Sequence, residues 1–211
     1  MHQELILMLL ADARLPVAGH TQSAGLEPAL RAGLTDVPRY ISTRLKTVTR
    51  VEAATAVVAL HSFRQGLPLA AVEAAWAART PSPAMRATSR QLARGLLRLG
   101  GRLWPLPDLH DPSRGVALGA LAFAAGLSPA SLARLIGYDD AQTVAAAALK
   151  LVPLDPADAT LWVVGAMPLI QSLADDVAGL TEPHEIPASG APQIEVWAEA
   201  HAIASRRLFS A

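Results

Sequence analysis

The sequence is poor in several residue types, and each shortage excludes a class of site. There is no cysteine, which excludes disulfides, thiolate nucleophiles and cysteine-based zinc or iron–sulfur sites. Aromatic residues make up only 4% of the chain, and the formal net charge is zero. Because nucleic-acid-binding faces need excess positive charge, usually with interleaved aromatic residues, we expect no nucleic-acid partner.

The residues that are abundant favour helices. Hydrophobic residues account for 52% of the 211 positions, and 43 residues are alanine, the best helix former and a poor strand former. We therefore predict an all-α protein, with residues 1–211 forming a single compact domain of about eight to ten helices and a C-terminal tail at 206–211. The N-terminus lacks a signal-peptide pattern, and two uncharged stretches, 115–133 and 160–174, are interrupted by proline. We expect a cytoplasmic protein with no membrane partner.

Caps and turn residues divide the chain into helices. Apolar residues at spacings of three and four predict one long helix from an N-cap at Asp36 to Gly66. The helix that begins after Ser128 is predicted to restart at Asp139 or Asp140, and the last helix is predicted over 194–208. The other helices are predicted over about 3–13, 23–31, 69–79, 84–103, 113–126 and 155–178.

Charge is distributed unevenly along the chain. Residues 1–102 carry 13 basic and 6 acidic side chains, whereas residues 103–211 carry 5 and 12. Five arginines repeat at intervals of four and form what we call the arginine strip: Arg86, Arg90, Arg94, Arg98 and Arg102. The strip is consistent with a surface for an acidic partner, and equally with a solvated face paired with acidic residues of the second half.

No group of residues has the spacing of a catalytic or metal site. The six histidines form no pair at i, i+4 and no H-E-x-x-H motif. Ser23 lies in G-H-T-Q-S-A-G, which is not the G-x-S-x-G nucleophile elbow, and we expect it to cap the helix that carries Glu27. We therefore expect no catalytic residue, no metal ligand and no cofactor on this chain.

The C-terminal tail, residues 206–211, has an unusual composition for a chain end. Its sequence is RRLFSA, with two arginines followed by an apolar pair. Chain ends are usually frayed, so an apolar pair here indicates either docking on the domain or insertion into a partner. The sequence leaves both alternatives open.

Four segments resemble a known family. Residues 9–27, LLADARLPVAGHTQSAGLE, are similar to the N-terminal signature of the urease accessory protein UreF family, approximately L-L-x-L-A-D-S-x-L-P-x-G-G-F-x-x-S-x-G-L-E. Three shorter segments agree with the family and follow in its order: 86–97 (RATSRQLARGLL), 151–156 (LVPLDP) and 207–210 (RLFS). Together the four segments extend over essentially the whole chain.

The chain departs from the family pattern at a few positions. Ala18 and Ala24 stand where the family has glycine, and His20 stands where an aromatic residue is common. Ala93 replaces a glycine of the mid-chain helix, and a later family element is present near Ser113 without its histidine. These departures affect the transfer of individual residue roles more than the resemblance itself.

The resemblance implies a function as well as a fold. Proteins of this family are all-helical and are not enzymes. They bind the accessory protein UreD, also called UreH, and the GTPase UreG, and they help to insert nickel into apo-urease. They are commonly dimers, and nickel and GTP would belong to the partners.

The resemblance also implies three partner-binding surfaces. One is a surface shaped by the N-terminal signature: Gly19, Ser23, Gly25 and Glu27. A second is the tail, which would dock on UreD: Arg207, Leu208, Phe209 and Ser210. The third is the face of Arg94, which would meet the GTPase or a second copy of the chain.

Two alternatives of other classes remain. One is a helical small-molecule-binding module, such as the effector domain of a regulator, which predicts an enclosed apolar pocket of a few hundred Å³. The other is an enzyme that acts through histidine and carboxylates, which would turn over a substrate without partners.

Overall fold

The computed structural model describes residues 3–17, 21–205 and 207–209. Within these ranges the regular structure is helical and contains no β-strand, which confirms the all-α prediction. Ten α-helices lie in this part of the chain: α1 (Gln3–Leu10), α2 (Leu26–Arg31), α3 (Val37–Lys46), α4 (Val48–Gln65), α5 (Ala70–Ala78), α6 (Pro83–Leu103), α7 (Arg114–Ala125), α8 (Pro129–Leu151), α9 (Pro156–Val177) and α10 (Pro192–Ala202). A short 3₁₀ helix, Pro183–Glu185, lies between α9 and α10.

Helix α4 lies at the centre of the core because small residues let its neighbours approach closely. It packs against α3, α5, α7, α8 and α9. Four of its alanines are fully buried: Ala53, Ala54, Ala56 and Ala59. On α7, Gly119 faces α4 so closely that an added Cβ would lie 2.9 Å from the carbonyl oxygen of Ala56. Backbone therefore packs against backbone here, as the alanine-rich composition suggests.

Several helix boundaries agree with the caps predicted from the sequence. The carboxylate of Asp36 accepts a hydrogen bond from the backbone N–H of Arg39 at 2.9 Å, which caps α3. The hydroxyl of Ser128 accepts from the N–H of Ser131 at 3.1 Å, which caps α8. Gly66 ends α4 in the left-handed conformation, with φ 65°.

The predicted helix from Asp36 to Gly66 is broken at Thr47, so that prediction was wrong. Thr47 has φ −123° and ψ −99°, outside the helical region, and its hydroxyl donates to the carbonyl of Thr43 at 2.7 Å. Residues 47–49 are three consecutive β-branched residues, which are poor helix formers. Neither glycine nor proline marks the break, and the apolar residues keep their spacing of three and four across it. The sequence pattern therefore predicts one helix where the structure has two.

Two further boundaries differ from prediction. Helix α8 continues through Asp139 and Asp140, so the predicted restart there was wrong. The reason is that Asp140 is buried against α3 instead of capping a helix. The last helix ends at Ala202 and not at Leu208, because residues 207–209 turn back to contact α2.

Helix α9 is the most apolar of the long helices. By length and composition alone it is apolar enough to cross a membrane. It packs along α8 and also contacts α3 and α4. Its inward residues, among them Val163, Ile170 and Leu173, are buried, whereas Leu161 and Met167 are exposed. One-sided burial of this kind is typical of a helix at the edge of a protein core.

Candidate functional site

The N-terminal signature forms a tight turn that is held against α3. Ala24 and Gly25 both have positive φ, 50° and 77°. The hydroxyl of Tyr40 donates to the carbonyl of Ala24 at 2.8 Å, and a guanidinium N–H of Arg44 donates to the same oxygen at 2.8 Å. A Cβ on Gly25 would lie 2.8 Å from the Tyr40 hydroxyl. Glycine is therefore required at position 25 for both space and backbone conformation.

The other residues of this predicted surface have different positions. Ser23 is buried, and its hydroxyl accepts from the backbone N–H of Glu27 at 3.3 Å. The N-cap of α2 is Gly25, which has no side-chain cap, so Ser23 supports the first turn without being the capping residue that the sequence predicted. Glu27 is also buried, with 1% of its surface exposed. Gly19 lies outside the described residues. Ser23 and Glu27 thus shape the surface from below and do not themselves face the solvent.

Glu27 binds the two ends of the chain together. Its carboxylate accepts hydrogen bonds from the backbone N–H groups of Leu208 at 2.8 Å and Phe209 at 3.0 Å. The guanidinium of Arg31 donates to the same carboxylate at 2.6 Å, and His201 Nε2 lies 3.8 Å from it. Burial alone would raise the pKa of Glu27, but these two N–H donors and the charge of Arg31 outweigh it and lower the pKa.

The described part of the tail therefore docks on its own domain. Phe209 is buried, with 4% of its surface exposed, and the ammonium of Lys150 lies 5.2 Å from the centre of its ring. Leu208 is 62% exposed, and Arg207 is exposed as well. Ser210 lies outside the described residues. Of the residues assigned to the tail surface, Leu208 and Arg207 are the two that this structure presents to a partner.

A cleft of about 220 Å³ lies beside the N-terminal signature. Ser23 and Gly25 line one side of it, and residues of α6, α7, α8 and α10 line the others. Much of the wall is apolar, including Leu92, Leu96 and Leu135. The cleft lies next to the surface at which the two ends of the chain meet, since His201 both lines it and approaches Glu27.

Two ion-pair groups border the cleft, and Asp139, 39% exposed, is their most accessible member. The guanidinium of Arg44 on α3 makes a bidentate contact with Asp140 on α8, at 2.6 and 3.0 Å. The guanidinium of Arg114 on α7 donates to Glu52 on α4 at 2.7 Å and to Asp139 on α8 at 2.5 Å. These contacts join four helices and place five charged side chains around one cavity.

The protonation behaviour of these groups follows from their enclosure. Burial raises the pKa of Glu52 and of Asp139, because the protein removes water from the carboxylates and Arg114 offsets this only in part. Burial opposes the charge of Arg44, but the carboxylate of Asp140 outweighs it and raises the pKa of the guanidinium. The arginines therefore stay charged, and the cleft has carboxylates that bind protons more readily than exposed ones.

The comparisons with known proteins identify the family of the chain. The model of the UreF family matches residues 33–166. A urease accessory protein UreF of Mycobacterium sp. (strain JLS) is 36% identical over 212 residues, and the match covers 97% of each chain. Those of Mycolicibacterium vanbaalenii and Mycobacterium marinum are 37% and 34% identical, also over 97% of each chain. This chain belongs to the UreF family. UreF proteins are accessory proteins and not enzymes.

In this UreF protein the arginine strip on α6 is partly paired. Arg90 and Arg94 contact the carboxylate of Asp111 at 3.4 and 3.2 Å, and Arg90 lies over the ring of Trp76. Arg98 donates to the carbonyl of Pro16 at 3.4 Å. Arg94 is 63% exposed despite its contact. Acidic residues of the second half thus pair with part of the strip, while Arg94 stays accessible.

The structure shows no metal centre in the described residues. No three or more of their histidine, aspartate and glutamate side chains are grouped so that they could hold a metal ion. His2 and His20 lie outside those ranges. In the cleft, Glu52, Asp139 and Asp140 each already accept from a guanidinium, so these carboxylates form no compact set of oxygen ligands for a metal ion.

Sequence reasoning missed the ion-pair groups, although one signal was present. Ile136, Asp140 and Val144 follow at intervals of four on α8, and the two apolar members are fully buried. A carboxylate in the middle of such a stripe must be buried with a partner. Sequence alone does not identify that partner, because Arg44 lies 96 positions away.

Proposed function

We propose that this protein is a scaffold for urease maturation that binds UreD (UreH) and the GTPase UreG, modulates the GTPase and assists nickel insertion into apo-urease. The proposal rests on membership of the UreF family over essentially the whole chain. Nickel and GTP would be carried by the partners, since the chain contributes surface and no chemistry. The protein would act in the cytoplasm as one domain over residues 1–211.

One observation in the structure supports a scaffold in particular. The two ends of the chain that resemble the family, residues 9–27 and 207–210, meet through the carboxylate of Glu27. Their contact brings both segments to one surface, which supports a shared role for them in binding a partner. Gly19, Ser23, Gly25 and Glu27 would then set the shape of this surface, and the tail would present Arg207 and Leu208 from it.

We assign the tail, including Phe209 and Ser210, to UreD. Leu208 is an exposed apolar side chain beside the basic Arg207, a combination that favours insertion into a partner. Phe209 would either anchor the tail in its present position or exchange its buried site for one on UreD.

The face of Arg94 on α6 is assigned to the GTPase or to a second copy of the chain. Arg94 is exposed, and its ion pair with Asp111 is solvated and therefore weak. Such a pair can open at little cost to give a bidentate contact with an acidic partner. A homodimer is proposed from the family resemblance, with this face as one candidate interface.

The test is retention of tagged UreD and, separately, UreG by this protein and its variants. Deletion of residues 206–211 and the single change Leu208→Ser should each weaken UreD retention by about tenfold or more, as expected for an apolar anchor at an interface. The control is Leu67→Ser, a half-exposed leucine just beyond α4. Both single variants should melt like the unmodified protein. Unchanged retention of UreD and UreG after the deletion would remove the tail from the mechanism.

A further inference from the structure

The cleft beside the N-terminal signature is large enough for a small molecule. Its volume of about 220 Å³ is many times the roughly 10–15 Å³ that a single water needs. Four leucines form much of its apolar lining, which we call the leucine wall, and they line it together with the charged side chains: Leu92, Leu96, Leu118 and Leu135. This combination of an apolar wall and a few convergent polar groups is typical of ligand sites.

The charge on the cleft is incompletely balanced. Three guanidiniums and four carboxylates line it: Arg44, Arg79, Arg114, Glu52, Asp139, Asp140 and Glu195. The formal charge of these groups is therefore −1. Asp140 is matched by Arg44, but Glu52 and Asp139 share the single guanidinium of Arg114. In the described part of the chain, one oxygen of each of these two carboxylates accepts from Arg114 and the other accepts no hydrogen bond.

Two buried polar side chains in the same cleft also lack hydrogen-bond partners among the described residues. Gln22 is 8% exposed, and its Nε2 makes no hydrogen bond to any described residue. His201 is 4% exposed, and neither ring nitrogen makes a hydrogen bond within that part of the chain. A buried polar group without a partner costs about 1–3 kcal/mol, so a ligand that supplied a partner would recover that cost.

From these contacts we propose that the cleft binds a small organic cation, with an amidinium, guanidinium or ammonium group held by Glu52 and Asp139 and an apolar body against the leucine wall. The cation supplies the positive charge that the two carboxylates lack. A planar cation with two N–H donors matches their two free oxygens. A hydrogen-bond acceptor on the ligand would engage the amide of Gln22. This site is independent of the proposed function, because it concerns the isolated chain.

The first experiment compares two probes of the same shape. Benzamidine carries a planar cation on an apolar ring, and benzamide is its neutral counterpart. We expect benzamidine to bind the purified full chain, measured by calorimetry, at least about tenfold more tightly than benzamide. In NMR spectra, the aromatic ring of benzamidine bound in the cleft should shift the side-chain amide resonances of Gln22 through its ring current, without a hydrogen bond, because benzamidine has no acceptor. Equal affinity of the two probes, or shifts confined to residues outside the cleft, would overturn the proposal.

The second experiment uses isosteric variants of this chain. Asp139→Asn and Glu52→Gln should each reduce benzamidine affinity by about tenfold. The control is Asp158→Asn, an exposed acid near the start of α9, which should leave affinity unchanged. Asp139 is 39% exposed, so its variant is the one expected to fold normally if Glu52→Gln does not. Affinity that is insensitive to Asp139→Asn, or reduced as much by Asp158→Asn, would contradict a site in the cleft. UreD and UreG retention are not involved, so failure here leaves the scaffold proposal intact.

Discussion

At the scale of single residues, helix packing makes two glycines behave in opposite ways. A Cβ on Gly119 of α7 would lie 2.9 Å from the Ala56 carbonyl oxygen and 2.9 Å from the Ala59 Cβ, whereas a Cβ on Gly101 of α6 meets nothing within 4 Å. Gly119→Ala should therefore lower the free energy of unfolding by about 1–3 kcal/mol. Gly101→Ala should leave it unchanged or raise it by up to about 1 kcal/mol, since alanine favours helix. Urea denaturation measures both, and equal effects would show that α4 and α7 are not in close contact.

At the scale of helices, the Arg44–Asp140 pair joins α3 to α8 and also holds the Ala24 carbonyl. The two side chains are 11% and 6% exposed, so removing one partner leaves a buried charge. Asp140→Ala should lower the free energy of unfolding by about 3–5 kcal/mol. The matched control is Asp176→Ala, because the Arg50–Asp176 pair also joins two helices but is 38% and 47% exposed, so its loss should cost less than about 1 kcal/mol.

The same pair has a second, sharper test. Replacing both partners, as in Arg44→Met with Asp140→Leu, should recover much of the loss caused by Asp140→Ala, because no unpaired charge then remains. Recovery will be incomplete, since Arg44 also donates to the Ala24 carbonyl. A double variant as unstable as Asp140→Ala would mean that packing at this position, and not charge, determines stability. Urea denaturation of all three variants gives the comparison.

The helices also show what the sequence could predict and what it could not. Local signals were sufficient where a cap side chain or a left-handed glycine marks a boundary, as at Asp36 and Gly66. The break at Thr47 carries only a short β-branched run, with no glycine, proline or capping side chain to mark it. Asp140 was misread as a helix start because its partner is distant in sequence. Local propensity cannot supply such contacts.

At the scale of the whole molecule, the fold brings opposite charges from the two halves of the chain together. Arg44, Arg50, Arg90 and Arg94 of the basic half all contact aspartates of the acidic half. Much of the charge asymmetry between the two halves of the sequence is thus neutralised by ion pairs within the fold. The sequence indicated both ends of the candidate site through Glu27 and the tail, but their contact spans 181 positions and became visible only in the structure.

The contact between Glu27 and the tail makes docking of the tail dependent on pH. The pKa of Glu27 is lowered while the tail is docked and returns toward its ordinary value, about 4.3, when the tail leaves. Between these two values the released state binds more protons, so docking is favoured above the ordinary pKa and is lost as pH falls through the lowered one. Hydrogen exchange should show the protection factors of the Leu208 and Phe209 amides falling below about pH 4 while those of buried α4 amides persist.

The variant Glu27→Gln separates this effect from other titrations. The pKa of Glu199 on α10 is lowered as well, by its hydrogen bond with Ser82, so α10 could loosen in the same range. A neutral glutamine keeps one acceptor oxygen for the two N–H donors and loses the charge that Arg31 and His201 face. We expect its tail amides to be weakly protected at neutral pH, with little further change on acidification. If the protection factors of these amides instead fall over the same pH range as in the unmodified protein, Glu27 does not control docking of the tail. Glu199 then becomes the group to replace.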